Sequence, residues 1–295
     1  MYMRRSFSRY PIEWLFPVLI LVGIFTIYPF AYALFTSLFR IILILPENPF
    51  IGLKNYTDVI TDLYFIEALL NTLLLTLITA PLITIISLGI ARLLLLKFKG
   101  RGILRSLILL PWAIPGTVAG IIWLWIFNSQ WGVLNGFLYN LGIINSYIPW
   151  LTDPNLAKLS VMVAHSWTQI PFATLLLMIG LTTINKELYE SAEIDGAGPF
   201  QRLIFITIPQ IRGTLVLVLI YECIMGITSY DVPYALTGGG PGGATTLLSY
   251  FVWAESFKRL DFGRGAALGI IMAIITFIFI QIILKSIPNE IIGEE

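Results

Sequence analysis

The amino-acid sequence predicts an all-α integral membrane protein with six transmembrane helices. Of its 295 residues, 57% are hydrophobic and only 12% are charged, and the apolar residues are gathered into six long stretches. Soluble domains carry roughly 25% charged residues, which cover their surface with polar groups. A chain with half that proportion and a mean hydropathy of +0.86 suits the bilayer, where the exterior is apolar.

Each apolar stretch is long enough for a helix that crosses a bilayer, which needs about 20 residues. The connecting segments hold the turn residues and nearly all of the charge. The predicted spans are residues 14–35, 68–96, 104–127, 156–179, 214–235 and 265–284. Pro111 and Pro115 are expected to kink the third span, because proline has no N–H to donate within a helix.

The Lys and Arg residues predict the orientation of the chain. With a cytoplasmic N-terminus, 12 of the 18 lie on the cytoplasmic side, where the excess of positive charge is expected. We therefore predict a cytoplasmic segment over residues 1–13, a membrane domain over 14–285 and a cytoplasmic tail over 286–295, in the cell (inner) membrane. The first stretch is too long for the h-region of a cleaved signal peptide, so we expect it to be retained.

The composition and the missing motifs argue against several classes of function. A net charge of +1 gives no footprint for nucleic acid, and one cysteine and one histidine make a metal site improbable. The chain has no Gly-x-x-x-x-Gly-Lys phosphate loop and no Ser/His/Asp or Cys/His constellation. We therefore expect a non-catalytic chain without a metal or cofactor of its own.

Residues 184–212 predict a helix-turn-helix on the cytoplasmic side. Asn185 is suited to cap the first helix, Gly196 to end it, Pro199 to begin the second and Pro209 to limit it. The apolar side of such a segment packs either against its own bundle or against a protein partner.

The segment holds Glu190-Ser-Ala192, then three residues, Gly196, nine residues and Ile206-Thr-Ile208-Pro209. This spacing resembles a motif of the permease subunits of binding-protein-dependent ABC importers, whose pattern is Glu-Ala-Ala, three residues, Gly, nine residues and Ile-x-Leu-Pro. Ser191 and Ile208 are conservative departures from that pattern. The resemblance implies a coupling helix that docks in a cleft of an ATPase subunit. The residues it implies for docking and shape are Glu190, Ala192, Asp195, Gly196, Ala197, Ile206 and Pro209.

The resemblance also implies the ABC importer permease fold and a set of partners. Six spans are half of a translocation pathway, which a second permease, expected to be a different chain, completes. ABC ATPase subunits, which bind ATP and Mg²⁺, lie on the cytoplasmic side, and an extracytoplasmic solute-binding protein delivers the substrate.

Further residues resemble the carbohydrate-uptake branch, which includes the maltose permeases. They lie over residues 68–285 and include Asn71-Thr72, Asp195-Gly-Ala197 with Gln201, Leu236-Thr-Gly-Gly-Gly-Pro241, Thr245-Thr246, Tyr250 and Gly265-Ala-Ala267. The resemblance implies a mono- or oligosaccharide as substrate.

Polar and aromatic side chains within the fourth and fifth spans are candidates for the substrate site. Polar groups in the middle of a bilayer are costly, and in transporters they tend to be functional. The candidates are Trp167, Gln169, Phe172, Glu222, Gly226, Ser229 and Tyr230. Glu222 has an alternative role as a hydrogen-bonding partner of a neighbouring helix, and His165 is interpreted as a satisfied interfacial histidine.

Three alternatives remain open at the level of the sequence. The first is an ABC permease for another solute, such as glycerol phosphate or an amino acid. No Lys or Arg lies in the fourth or fifth span to bind an anion, which weighs against it. The second, an ATP-independent secondary transporter, commonly has several intramembrane charges or an internal repeat. The third, a membrane-embedded enzyme, lacks catalytic residues here.

Overall fold

The computed structural model describes residues 15–285, and this part of the chain is helical. It contains no β-strand, only two isolated bridges, Phe39 with Phe50 and Ile42 with Asp261. The predicted segments 1–13 and 286–295, and the first residue of the first predicted span, lie outside the described residues.

The helices of the described range are numbered here in chain order. They are α1 (Phe16–Thr36), α2 (Lys54–Ile60), α3 (Leu63–Leu95), α4 (Arg101–Ala113), α5 (Gly116–Ile126), α6 (Val133–Asn140), α7 (Pro154–Thr182), α8 (Lys186–Ile194), α9 (Pro199–Gln210), α10 (Arg212–Ile227), α11 (Asp231–Leu236), α12 (Leu248–Trp253) and α13 (Phe262–Lys285).

Four unbroken helices, α1, α3, α7 and α13, are long and apolar enough to cross a membrane. Two further helix pairs pass the same test but are sharply bent. The pair α4 and α5 is bent by 99°, and the pair α9 and α10 by 76°. The described chain therefore has four candidate spans, or up to six if each bent pair is one span.

The break in the third predicted span follows from Pro115. Ile114 is extended, as expected for a residue that precedes proline, and the next helix begins directly after Pro115. The predicted kink is therefore confirmed at Pro115, whereas Pro111 lies within α4 without ending it.

The fifth predicted span begins within two residues of α10 but ends too late. Residues 214–235 were expected to form one helix, but α10 ends at Ile227 and the separate short helix α11 begins at Asp231. The hydrophobic pattern continues across this break, which is why periodicity alone missed it.

Contacts divide the chain into two units. The described part of the first unit covers residues 15–59 and 254–271. In it, Leu43 N donates to Leu260 O at 2.9 Å, and Phe262 N donates to Ile41 O at 2.8 Å. The buried Glu255 carboxylate pairs with Arg259 at 2.7 Å.

The second unit covers residues 60–253 and, in its described part, 272–285. Its core has two clusters. One includes Leu75 of α3 and Val161 of α7, and the other includes Ile83 of α3 and Leu177 of α7. The long helices α3 and α7 thus form a shared wall on which α4, α5, α10, α11 and α12 pack.

The glycine-rich loop between α11 and α12 is fixed to α3 in this unit. Asn71 Nδ2 donates to the carbonyls of Gly243 and Thr246, each at 3.2 Å. The Leu248 N–H donates to Thr72 Oγ1 at 2.9 Å. The start of α12 is therefore held in place by side chains of α3.

Candidate functional site

A cavity of about 280 Å³ lies in the second unit and is called here the central cavity. Its wall is formed by the junction of α4 with α5, by α7, by α10, and by the segment that links α10 to the start of α11. The polar and aromatic residues that line it are Trp112, His165, Thr168, Gln169, Tyr221, Thr228, Ser229, Tyr230 and Asp231.

The polar wall of the central cavity contains two buried atoms without a partner. His165 Nδ1 lies 3.3 Å from Ser229 Oγ, and Thr168 Oγ1 donates to the His165 carbonyl at 2.7 Å. His165 Nε2 and Gln169 Oε1 have no hydrogen-bond partner among the described residues. Both atoms are enclosed by the protein, so neither faces the open space of the cavity, although other atoms of the same residues line it.

The aromatic wall is a row of three rings. Phe172 stacks on Trp112, with centroids 5.3 Å apart, and lies 4.8 Å from the Tyr221 ring. Trp112 and Tyr221 line the cavity, and Phe172 supports both. Such rings offer flat apolar surfaces beside the polar wall.

Two glycines of α5 allow α11 to approach closely. A Cβ at Gly116 would lie 2.7 Å from Asp231 Cβ, and one at Gly120 would lie 2.6 Å from Ala235 Cβ. Real Cβ atoms do not approach one another this closely. The glycines therefore set the position of Asp231 and of the neighbouring Tyr230 at the cavity.

The structure brings together some of the residues that the sequence proposed for the substrate. Gln169, Ser229 and Tyr230 line the central cavity, and Phe172 lies behind two of its rings. The Ser229 carbonyl also accepts a hydrogen bond from Ser249 Oγ of α12.

Three of the other proposed residues lie elsewhere. Trp167 lines a separate apolar crevice with Trp123 and Met162. Glu222 is fully buried, is not among the lining residues, and neither of its carboxylate oxygens has a hydrogen-bond partner in the described chain. Gly226 is buried against Thr76 of α3, where a Cβ would lie 2.7 Å from Thr76 Oγ1.

Sequence reasoning left His165, Trp112 and Tyr221 out of the site. The signal for His165 was present, because residues 165, 168, 169 and 172 share one face of a helix at offsets of three, four and seven. The same periodicity places Trp167 on another face. Trp112 and Tyr221 reach the cavity through tertiary packing, which local patterns do not reveal.

The predicted helix-turn-helix is present as α8 and α9. The Glu187 N–H donates to Asn185 Oδ1 at 3.1 Å, so Asn185 is the predicted cap. Gly196 has φ of +79°. Gly196 N donates to Glu193 O at 3.1 Å, and Ala197 N donates to Ala192 O at 2.8 Å. These two bonds form a Schellman motif, which requires the left-handed conformation that glycine adopts freely.

The helix-turn-helix has one side against its own unit and one side exposed. Tyr189 and Ile206 pack on the core cluster that contains Leu177. Ile194 is 87% exposed and Phe200 is 72% exposed. Of the residues proposed for docking, Glu190, Asp195, Gly196 and Pro209 are exposed, and Ala192, Ala197 and Ile206 are half-buried.

Comparison with known proteins identifies relatives over nearly the whole chain. A family model described as binding-protein-dependent transport system inner membrane component matches residues 83–287. The chain is 37% identical to the sulfoquinovosyl glycerol transport system permease protein SmoG of Agrobacterium fabrum, over 93% of this chain and 89% of that protein. It is also 37% identical to the trehalose/maltose transport system permease protein MalF of Thermococcus litoralis, over 91% and 90% of the two chains.

Another relative carries a different substrate in its name. The sn-glycerol-3-phosphate transport system permease protein UgpA of Agrobacterium fabrum is 34% identical, over 88% of each chain. Among solved structures, a chain of a bacterial ABC transporter involved in the import of the acidic polysaccharide alginate has a similar fold. The TM-score is 0.77 at 22% identity, over 93% of each chain.

Proposed function

Because the chain belongs to the family of binding-protein-dependent transport system inner membrane components, we propose that it is the permease subunit of an ATP-driven importer of a neutral sugar. The observation that carries this proposal is the central cavity. Polar and aromatic side chains line it together, and none of its described lining residues is Lys or Arg.

The chemistry of this cavity suits a polyol. Sugar hydroxyls both donate and accept hydrogen bonds, so they can pair with hydroxyl and carboxylate groups of the wall, such as those of Thr228, Ser229 and Asp231. The C–H faces of a pyranose pack on aromatic rings such as Trp112 and Tyr221. A phosphate or carboxylate would instead favour a cation in the wall.

In the membrane, we propose that the pair α4 and α5 crosses once and that α10 crosses as the fifth span while α9 stays on the cytoplasmic side, so that the chain has six spans with both ends in the cytoplasm. The excess of Lys and Arg on that side supports this orientation. The bend at Pro115 then lies inside the third span, beside the central cavity, where non-helical backbone can line an aqueous space.

The helix-turn-helix is proposed as the coupling helix that docks on a partner ATPase. Its exposed Ile194 and Phe200 suit an apolar cleft of that partner, and the Schellman turn at Gly196 holds the two helices in a fixed relation. ATP and Mg²⁺ would bind to the ATPase, and this chain would be non-catalytic.

The proposed cycle alternates access to the cavity. A second permease completes the pathway, and a solute-binding protein delivers the sugar from outside. Closure of the ATPases on ATP moves the coupling helices and favours the outward-facing state, and hydrolysis returns the inward-facing state.

Co-purification tests the coupling role. Gly196→Pro removes the N–H that closes the Schellman turn and imposes a negative φ, so we expect loss of both the co-purified ATPase and sugar uptake. Gly198→Ala is the matched control, because Gly198 has φ of −69° and a Cβ there meets nothing closer than 3.7 Å. Uptake that persists without any ATPase would contradict the proposal.

The substrate class is tested with the solute-binding protein of the same system. We expect the purified protein to bind at least one sugar of a panel of glucose, maltose and trehalose. The glycerol phosphate relative favours a second candidate, so sn-glycerol 3-phosphate belongs in the same panel. Binding of the phosphate alone would replace the sugar as substrate and leave the coupling role intact.

A further inference from the structure

Four aromatic rings adjoin the central cavity and form what we call the aromatic cluster, namely Tyr230, Tyr234, Tyr250 and Trp253. Tyr230 stacks on Tyr234, with centroids 5.2 Å apart. Trp253 lies 5.0 Å from Tyr234, 5.9 Å from Tyr230 and 5.7 Å from Tyr250. Each ring thus has at least two ring neighbours, and the cluster forms one continuous surface.

The cluster is built on a rigid base. Tyr250 is buried, and a Cβ at Gly239 would lie 3.0 Å from its ring, so the glycine-rich loop supports it from behind. The same loop is bonded to Asn71 of α3. Ser249 Oγ donates to the Ser229 carbonyl, which ties the helix that carries Tyr250 and Trp253 to the cavity wall.

The cluster extends the cavity wall to the surface. Tyr230 lines the central cavity, whereas Tyr234, one helical turn further, is 38% exposed and Trp253 is half-buried. Along the chain, the helix-turn-helix ends just before α10 begins, and the aromatic cluster begins after α10 ends. The 16 residues of α10 span about 24 Å, so the cluster lies at the end of that helix remote from the coupling segment.

We propose that the exposed edge of the aromatic cluster, formed by Tyr230, Tyr234 and Trp253, is a subsite that receives a pyranose ring before it reaches the central cavity. This inference rests on the proposed function, since it adds a second station to the same pathway. The rings of Tyr234 and Trp253 offer apolar surfaces to the C–H groups of the sugar.

An alternative role for such rings is anchoring at the membrane interface, where Tyr and Trp are enriched. The chain provides a matched control for it. Tyr147 is 39% exposed and packs on Tyr139 with centroids 6.0 Å apart, but it does not line the central cavity. If both tyrosines are interface anchors, replacing either one should have the same effect on uptake. If Tyr234 belongs to a sugar subsite, only its replacement should lower uptake.

The test uses the whole transporter with its binding protein in proteoliposomes. The probe is the radiolabelled sugar that the binding protein holds most tightly in the panel above, and both uptake and ATP hydrolysis are measured. We expect Tyr234→Leu and Trp253→Leu to lower the sugar moved per ATP about five- to tenfold, because leucine keeps apolar bulk but removes the ring. Tyr234→Phe and Tyr147→Leu should stay within about twofold of the parent, because the first keeps the ring and the second lies elsewhere.

Each other outcome overturns the subsite. If all the leucine variants keep both the parental uptake and the parental ATP hydrolysis, or if Tyr147→Leu lowers the sugar moved per ATP as far as Tyr234→Leu does, the cluster is an anchor and not a subsite. If Tyr234→Leu lowers uptake and ATP hydrolysis in equal proportion, its role is structural. In each of these cases the proposed function stands, provided that Gly196→Pro still abolishes uptake. If the parent takes up no sugar, the proposed substrate class fails together with the subsite.

Discussion

His165 and Ser166 are neighbours in α7, yet their side chains lie in different spaces. His165 lines the central cavity, whereas Ser166 lines the apolar crevice that also contains Trp167. Successive residues of a helix are rotated by about 100°, which is enough to separate two faces. Both residues are buried, so they differ in the direction in which their side chains point and not in their exposure.

This difference predicts that two substitutions at neighbouring positions of α7 differ in their effect on sugar uptake. His165→Leu removes the ring nitrogens and leaves the Ser229 hydroxyl without its contact at 3.3 Å, so we expect sugar uptake to fall about tenfold. Ser166→Ala removes a hydroxyl that has no partner among the described residues, and uptake should be unchanged. Sugar uptake by cells that contain equal amounts of the two variants measures both effects. Equal losses of uptake would show that the substrate does not bind in the central cavity.

At the scale of elements, glycines decide how closely the helices of the second unit pack. Gly226 of α10 faces Thr76 of α3, and Gly180 of α7 faces Thr214 of α10. In both places a Cβ would lie within 3 Å of the opposing threonine side chain. Small residues at such positions are typical of membrane helices, because lipid gives helices no hydrophobic reason to associate and close packing must hold them together.

Alanine is therefore expected to lower the free energy of unfolding at Gly226 but not at Gly89. Gly226→Ala forces α10 away from α3 and should destabilise the protein by about 1–3 kcal/mol. A Cβ at Gly89 of α3 would meet nothing within 4 Å, so Gly89→Ala should be neutral or stabilising by up to about 1 kcal/mol. Thermal unfolding of the two purified variants in detergent compares them. A lower midpoint for Gly89→Ala than for Gly226→Ala would contradict this account of the packing.

At the scale of the whole molecule, the proposed orientation puts the helix-turn-helix and the α6–α7 connection on opposite sides of the membrane. Ile194 represents the first side and Ile143 the second, and both side chains are well exposed. The native Cys223 is buried, and its replacement by alanine leaves a background without reactive thiols.

Cysteine labelling in that background tests the orientation. In cells that lack the partner ATPase, which would otherwise cover Ile194, we expect an impermeant maleimide to label Ile143→Cys on intact cells, and Ile194→Cys only after the cells are permeabilised. Labelling of Ile194→Cys on intact cells would reverse the orientation and remove the coupling segment from any cytoplasmic ATPase.

The sequence predicted some features well because their causes are local. The Asn185 cap, the Gly196 turn and the break at Pro115 each depend on a few adjacent residues, and all three are present. The wall of the central cavity depends on which faces of distant helices meet. Glu222 stood out in the sequence as a charge in an apolar stretch, but its helix turns it away from the cavity lining, and only tertiary packing decides that direction.

Within α9, residues Leu203–Thr207 form a π-turn, which holds one residue more than a regular helical turn. Loss of one residue from an ordinary helix rotates everything beyond it by about 100°. Loss of one residue from this wide turn would instead leave a regular α-helix, with Pro199 and Gln210 still facing as before. A one-residue deletion in this turn is therefore expected to shorten the connection from Gly196 to Pro209 without rotating α10.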